Sequence, residues 1–133
     1  MKKDLSNIKK AKYLLDNNHC VAIPTETVYG LAANAYSDKA TSKIFKLKKR
    51  PKSNPLIVHY SRVQDLRKDC EINSNFQKLY SKFCPGPLTF VLKLKKVSKI
   101  SKNVTNGKNT LAVRFPKNLA TRNLLSYLKY PLA

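Results

Sequence analysis

The stretch that decides the fold reads Pro24-Thr25-Glu26-Thr27-Val28-Tyr29-Gly30-Leu31, followed by Lys48-Lys49-Arg50-Pro51-Lys52-Ser53-Asn54-Pro55-Leu56-Ile57-Val58-His59. Its first part leaves an apolar strand, Cys20 to Ile23, and its second part feeds another strand, Pro55 to His59. If the two strands lie side by side, their polar flanks converge at one end of the sheet, where open α/β sheets bind ligands. The converging side chains are Thr25, Glu26, Thr27, Lys48, Arg50, Ser53, Asn54 and His59. Donors and cations with little acid favour an anionic ligand such as a nucleotide.

Phosphate binding would have to rely on side chains, because three glycines in the whole chain cannot build a G-x-G-x-x-G or Walker loop. Arg50 offers a planar fork to phosphate oxygens and Lys48 a mobile charge, while the flanking prolines stiffen the turn. Taken alone, this turn is also what an ordinary basic helix C-terminus looks like. Likewise, the tripeptide Thr25 to Thr27 could simply cap the next helix, and a lone strand-end histidine such as His59 is more often structural than catalytic.

Composition bounds the class of protein. The 133 residues suit one domain, and 42% hydrophobic residues favour a folded chain. There is no apolar run long enough to span a membrane and no secretory signal at the start. Cys20, Cys70 and Cys84 are odd in number and form no C-x-x-C pair, which predicts a reducing, cytoplasmic location without disulfides or a zinc site. The net charge of +20 favours contact with nucleic acid, although many of the lysines will only form a solvated surface.

Hydrophobic periodicity predicts a mixed α/β order without internal repeats. The predicted helices cover 5–17, 35–48, 62–68, 74–83 and 118–128, and the predicted strands cover 19–23, 55–60, 88–94 and 110–115. Ser37 or Asp38 is expected to cap the second helix, and Ser74 with Gln77 to form a capping box. The basic segment 95–108 is predicted to be a long loop or a hairpin tip around Asn106-Gly107.

Two later stretches add candidate groups. Pro85-Gly86-Pro87-Leu88-Thr89 is interpreted mainly as a structural turn that sets where the next strand enters the sheet. In the strand from Thr110 to Phe115, side chains alternate, so Thr110 and Arg114 point to the same side. That pair indicates either a ligand-facing row or the solvated face of an edge strand.

Together these stretches resemble the YrdC-like family of threonylcarbamoyl-AMP synthases. The family pattern P-T-E-T-x-Y-G-L, then K-x-R-P-x-x-x-P-L-x-x-H, is matched by residues 24–31 and 48–59, and P-G-P-x-T and V-R-x-P follow in order. The resemblance extends from Asn18 to Ala133. It implies an α/β fold for 1–133: a single-domain mixed twisted sheet flanked by helices, of the RibB-like type.

The resemblance also implies a reaction. Family members convert ATP, L-threonine and bicarbonate, with Mg²⁺ accompanying ATP, into threonylcarbamoyl-AMP and pyrophosphate. The product serves threonylcarbamoyladenosine modification of tRNA, so tRNA or double-stranded RNA and other tRNA-threonylcarbamoylation proteins are implied partners. Carried over by motif, the ATP-binding residues are Lys48, Arg50, Asn54 and Thr110, the first two also being catalytic. The threonine-binding residues are Thr27, His59 and Arg114, and no metal ligand from the protein is implied.

The chain departs from the family pattern at its end. Pro131-Leu132-Ala133 matches the start of a P-L-x-A-x-S-A-N-x-S-G segment that contacts both substrates, and the sequence stops there. We therefore expect a C-terminally incomplete domain that lacks its last strands. The alternative is a non-catalytic RNA-binding module, this chain being an inactive fragment. A third reading is the carbamoyl-transfer domain of hydrogenase-maturation proteins; the short length and lack of C-x-x-C pairs argue against it.

Overall fold

The computed structural model describes residues 2–26 and 28–133, with side chains from Leu5 onward. The helices are α1 (Lys2–Asp16), α2 (Asp38–Leu47), α3 (Val63–Asp69), α4 (Ser74–Phe83), α5 (Lys102–Thr105) and α6 (Leu119–Tyr127). The strands are β1 (Val21–Pro24), β2 (Tyr29–Ala32), β3 (Val58–His59), β4 (Gly86–Lys93) and β5 (Thr110–Phe115). None of the helices in these two ranges is long and apolar enough to cross a membrane.

Two groups of strands form the sheet. β1 and β2 make an antiparallel hairpin, while β5 lies between β3, to which it is parallel, and β4, to which it is antiparallel. The predicted neighbours β1 and β3 therefore do not pair, because β1 folds back on β2 instead. That expectation was wrong, whereas the predicted mixed α/β class is confirmed.

The segment Pro131–Ala133 joins the two groups. Ala33 and Ala133 exchange both backbone hydrogen bonds (N···O 3.2 and 2.9 Å), and His59 and Leu132 do the same (2.7 and 3.2 Å). Leu132 forms antiparallel bridges with His59 and with Asn34, and the Ala33–Ala133 pair lies next to the bridge with Asn34. The resulting order across the molecule is β1, β2, the segment Pro131–Ala133, β3, β5, β4, which makes one continuous mixed sheet.

Helices cover both faces of this sheet. Leu132 packs in a cluster with α1 and α6, whereas its neighbour Ala133 packs in the larger cluster with α2, α4 and α5. Successive strand residues point to opposite faces, so the two clusters are the two sides of the sheet. At the centre of the larger cluster, the Phe76 ring lies 4.7 Å from that of Phe90. Each fully buried large side chain contributes about 1.5–3 kcal/mol.

Side-chain caps mark where four of the helices begin, α2, α4, α5 and α6. Ser37 caps α2 by accepting a hydrogen bond from the Ala40 amide at 3.0 Å, as predicted. The capping box at Ser74 was wrong: Asn73 Oδ1 accepts from the Phe76 amide at 2.9 Å, so the cap lies one residue earlier. Asn is as good a cap as Ser, and here it occupies the extended position that a cap needs.

Candidate functional site

A cavity of about 150 Å³ opens where the β1–β2 hairpin meets the chain entering β3. Four of the polar side chains predicted to converge line it: Thr25, Lys48, Arg50 and His59. Its other walls are Ile23, Gly30, Leu31, Ala32, Ile44, Leu56, Ile57 and Ala133. Part of the predicted convergence thus occurs without the predicted strand pairing, because Pro131–Ala133 bridges the two sides, whereas Glu26, Ser53 and Asn54 do not line the cavity.

The end of α2 aims the basic turn at this cavity. Lys49 adopts a left-handed conformation (φ 50°), and the Arg50 amide donates to the Phe45 carbonyl at 2.9 Å. This is the Schellman ending of a helix, with Lys where Gly is usual. A lysine in that conformation costs about 1–2 kcal/mol relative to a helical one, and such strain often accompanies functional sites.

Backbone carbonyls hold the Arg50 guanidinium. Nε donates to the Asn54 carbonyl at 3.1 Å and Nη2 to the Pro55 carbonyl at 2.6 Å. The turn itself is closed by the Asn54 amide donating to the Pro51 carbonyl at 3.0 Å. Arg50 is therefore fixed by its own turn through two of its five N–H groups, which leaves three for a ligand. Asn54 supplies its carbonyl to this clamp, and its side chain is exposed, as is that of Ser53.

His59 lies where β3 pairs with the segment Pro131–Ala133, and its ring nitrogen Nδ1 is buried. Within the described part of the chain, its Nδ1 finds no hydrogen-bond partner. Burial, followed by the positive charge of Arg114, lowers the pKa of His59. The imidazole is therefore neutral near pH 7 and can accept one hydrogen bond and donate another. An orphaned buried nitrogen is costly unless a ligand satisfies it.

Arg114 lies beside His59 because β3 and β5 are parallel and place these two residues in register. Its Nε donates to Thr89 Oγ1 at 2.6 Å, across the irregular part of the β4–β5 ladder between Gly86 and Phe90. Sequence reasoning missed this tether, although the Thr that closes P-G-P-x-T was the available signal. The structural interpretation of the turn is supported, since a Cβ on Gly86 would lie 2.7 Å from the Phe83 carbonyl oxygen.

Thr110 lies at the start of β5, four residues before Arg114 and on the same side of the strand. Because β3 and β5 run parallel, Thr110 at the start of β5 lies at the same end of the sheet as the 51–55 turn, which leads into the start of β3. The two polar groups are about 13 Å apart along the strand. Neither they nor Asn54 belong to the cavity lining. Thr27 falls outside the described residues.

Thr25 and Glu26, which follow β1, do not cap a helix. Thr25 exchanges backbone and side-chain hydrogen bonds with Val28, which closes the β1–β2 hairpin. Glu26 Oε1 accepts from the Lys117 amide at 2.6 Å and so ties the hairpin tip to the chain after β5. Glu26 therefore ties the hairpin to a distant part of the chain and does not cap a helix.

The three cysteine thiols are partly or fully buried. Burial raises the pKa of Cys70 to about 12 and raises the pKa of the Cys20 and Cys84 thiols too, so all three stay protonated near pH 7. In residues 2–26 and 28–133, no three His, Cys, Asp or Glu side chains gather as a metal site. The groups at this site are cations, hydroxyls and a neutral imidazole, which suit an anionic polar ligand.

Known proteins are similar to this chain in sequence and in fold. The family model described as "Telomere recombination", which covers Sua5, YciO and YrdC proteins, matches residues 13–133. Threonylcarbamoyl-AMP synthases of Pyrococcus abyssi and Bacillus subtilis are 39% and 40% identical over 95% of this chain. A crystal structure of P. abyssi Sua5 complexed with L-threonine superposes with a TM-score of 0.91 at 38% identity, over 96% of this chain and 37% of that one.

Fold and site thus define a mixed α/β domain with a cavity between the two groups of strands, whose polar lining is two cations, a histidine and a threonine. The range matched by the family model, residues 13–133, contains all the residues named at the site. The chain belongs to the Sua5/YciO/YrdC family. It spans about 36–37% of the length of these two synthases.

Proposed function

We propose that this chain carries the substrate-binding chemistry of a threonylcarbamoyl-AMP synthase, which joins ATP, L-threonine and bicarbonate and releases pyrophosphate. The observation that carries the proposal is the single cavity in which Lys48 and Arg50 face His59, with Arg114 tethered next to it. The named function of the similar proteins supports the enzyme and not the non-catalytic alternative.

The polar groups divide into two subsites. Lys48, Arg50, Asn54 and Thr110 would bind ATP. Thr110 is the first residue of β5, at the end of the sheet where the 51–55 turn lies. His59 and Arg114, with Thr27, would bind threonine, Arg114 pairing with the carboxylate. A buried neutral imidazole with an unsatisfied nitrogen suits the hydroxyl or the amine of an amino acid.

The reaction needs no covalent nucleophile from the protein. The threonine amine attacks carbon dioxide derived from bicarbonate and loses a proton, giving a carbamate. A carbamate oxygen then bonds to the α-phosphorus as the bond to the pyrophosphate oxygen breaks. Lys48 and Arg50 offset the negative charge that develops on the phosphates, which is usually the largest contribution such a site can make.

Magnesium would enter with the nucleotide. The described site offers cations and hydroxyls rather than a carboxylate cluster, so the ion fits as part of the metal–ATP substrate, held by phosphate oxygens and water. The protein's own contribution is to position and neutralise the phosphates.

The test is pyrophosphate release that requires ATP, threonine and bicarbonate together. Arg50→Ala should lower kcat/KM for ATP by about 10²–10³-fold. Lys52→Ala, which removes an exposed cation from the same turn, should change it less than about threefold. Equilibrium binding of threonine, measured in parallel, should be weakened by His59→Ala. Pyrophosphate release independent of threonine, or equal losses in the two cation variants, would overturn the proposal.

We further propose that RNA contacts the basic surface. The net charge is +20, and the ion pairs among described side chains engage only Lys12, Arg62 and Lys68. The remaining cations are thus available to release counterions from phosphates. The logarithm of tRNA affinity should fall linearly with the logarithm of salt concentration. A flat response would remove tRNA as a partner of this chain.

A further inference from the structure

A second cavity lies apart from the site above. Its volume is about 530 Å³, against about 150 Å³ for the first cavity, which places it in the range of small-molecule sites. It is lined by the chain that leaves β3, by α3, by the segment after β4 and by the end of α6. Nothing in the proposed reaction uses it.

The two cavities occupy opposite ends of one pair of strands. His59 lines the first cavity and Tyr60 the second, while Ala133 lines the first and Pro131 the second. Residues 131 and 133 are only about 7 Å apart along an extended chain. The second cavity is therefore a neighbour of the first but has its own set of lining groups.

The lining of the second cavity is cationic. Four cations face two carboxylates, Asp65 and Asp69, which leaves a net charge of +2. The Asp65 carboxylate is engaged by Arg62 at 3.2 Å and by Lys68 at 3.5 Å.

Asp69 is satisfied by hydroxyls instead. It accepts from Tyr36 at 2.8 Å and from Tyr60 and Ser98 at 2.7 Å each. The other two lining cations, Lys99 and Lys129, form no close ion pair among the described side chains, although the charge of Lys129 helps to lower the pKa of Asp16. Two exposed ammonium groups at a concave site attract an anion.

The same cavity offers flat apolar surface. Tyr36 and Tyr60 donate their hydroxyls to Asp69, and Tyr130 donates its hydroxyl to Asp16 at 2.5 Å. Tyr60 is only 1% exposed and backs the wall of the cavity, whereas Tyr36 and Tyr130 are half-buried and can present their rings to a ligand. The half-buried Leu128 adds aliphatic surface. Such rings favour stacking or edge contact with another aromatic group.

We propose that the second cavity binds a nucleoside monophosphate or a ligand of the same chemistry, with its base against the tyrosine rings and its phosphate on Lys99 and Lys129. Volume, charge and ring surface together carry this assignment. It does not depend on the reaction proposed for the first cavity.

The experiment is a titration of the isotope-labelled chain with AMP, followed by amide chemical shifts and calorimetry. An Arg50→Ala background removes the main phosphate contact of the first cavity. Binding should persist in that background, with the largest shifts at Ser61, Val97 and Lys129. Lys99→Ala/Lys129→Ala should weaken binding at least tenfold. Val97→Glu, at a position 80% exposed and therefore tolerant of substitution, should weaken it through charge alone.

Lys78→Ala/Lys108→Ala is the matched control, since it removes two exposed cations that line neither cavity. Equal weakening by this control would show general charge attraction and overturn the proposal. Loss of AMP binding in Arg50→Ala, or shifts centred on Gly30 and His59, would assign AMP to the first cavity and also overturn it. Inorganic phosphate binding as tightly as AMP would refute the role of the tyrosine rings.

Discussion

Replacing Leu132 by Ala tests whether Pro131–Ala133 holds the sheet together. The Leu132 side chain is completely buried, between residues of β1, β2, α1 and α6. Truncating a buried Leu to Ala costs about 2–5 kcal/mol, because transfer energy is lost and a cavity remains. For a chain of 133 residues, that corresponds to a fall in Tm of roughly 7 to 18 °C.

The assay is thermal and urea unfolding followed by circular dichroism. The urea midpoint should fall while the slope m stays constant, as expected if only the native state is weakened. Leu119→Ala is the control, since Leu119 is 70% exposed and its truncation should cost under about 0.5 kcal/mol. Equal Tm values for the two variants would refute the idea that residue 132 is part of the core.

Three further changes probe single contacts. The first change is His59→Gln. The free energy of unfolding should fall between pH about 7.5 and about 5.5, and this fall should be smaller in the variant than in the parent. Equilibrium unfolding at each pH measures it. The reason is that burial of the ring lowers the pKa of His59 in the folded state, so the unfolded chain binds more protons as the pH falls. Asp69→Asn should cost about 2–4 kcal/mol in urea unfolding, because the carboxylate accepts three hydroxyl hydrogen bonds; the ion-paired, more accessible Asp65→Asn should cost less than about 1 kcal/mol. Thr89→Val should weaken threonine binding by calorimetry about 5–10-fold and leave ATP binding nearly unchanged, and Thr89→Ser should restore it; an equal loss of ATP binding would contradict a tether specific to Arg114.

Helices and strands that are long enough to show a repeating pattern of apolar residues were predictable from the sequence. The helix over 74–83 and the strand over 110–115 were predicted with the bounds that the structure shows. Each is long enough for its buried side chains to repeat at the spacing of a helix or a strand. α5, with four residues, is shorter than such a repeat and was predicted as loop.

β2 was missed for a different reason. Thr25 to Thr27 follow a strand with the residue types of a helix cap, so the chain beyond them was not considered as a second strand. In the structure, Thr25 bonds to Val28 and closes a hairpin. Hydroxyl side chains serve either purpose, and only the pairing of Ile23 with Gly30 distinguishes them.

Within the site, the spacing of the motifs identified the polar side chains but not the hydrogen bonds that hold them in place. Lys48, Arg50 and His59 could be selected because they are polar or charged beside apolar strands. The Thr89 tether depends on an irregular register between β4 and β5, which no local pattern encodes. The carbonyl clamp on Arg50 likewise depends on the backbone path of its turn.

The assembly of the site depends on the part of the chain with the least local signal. Pro131–Ala133 contains three apolar residues, too few to show a period, and its sequence alone is only an unexplained apolar stretch after a polar helix. Its structural role exists because β2 and β3 each leave an edge that three residues can fill on both sides. Since Ala33 and His59 lie far from it along the chain, these pairings must close long loops before they stabilise anything. The polar side chains of the cavity therefore come from two local sequence motifs. The distance between its two walls, the β1–β2 hairpin and β3, is set by contacts that only the folded chain can make.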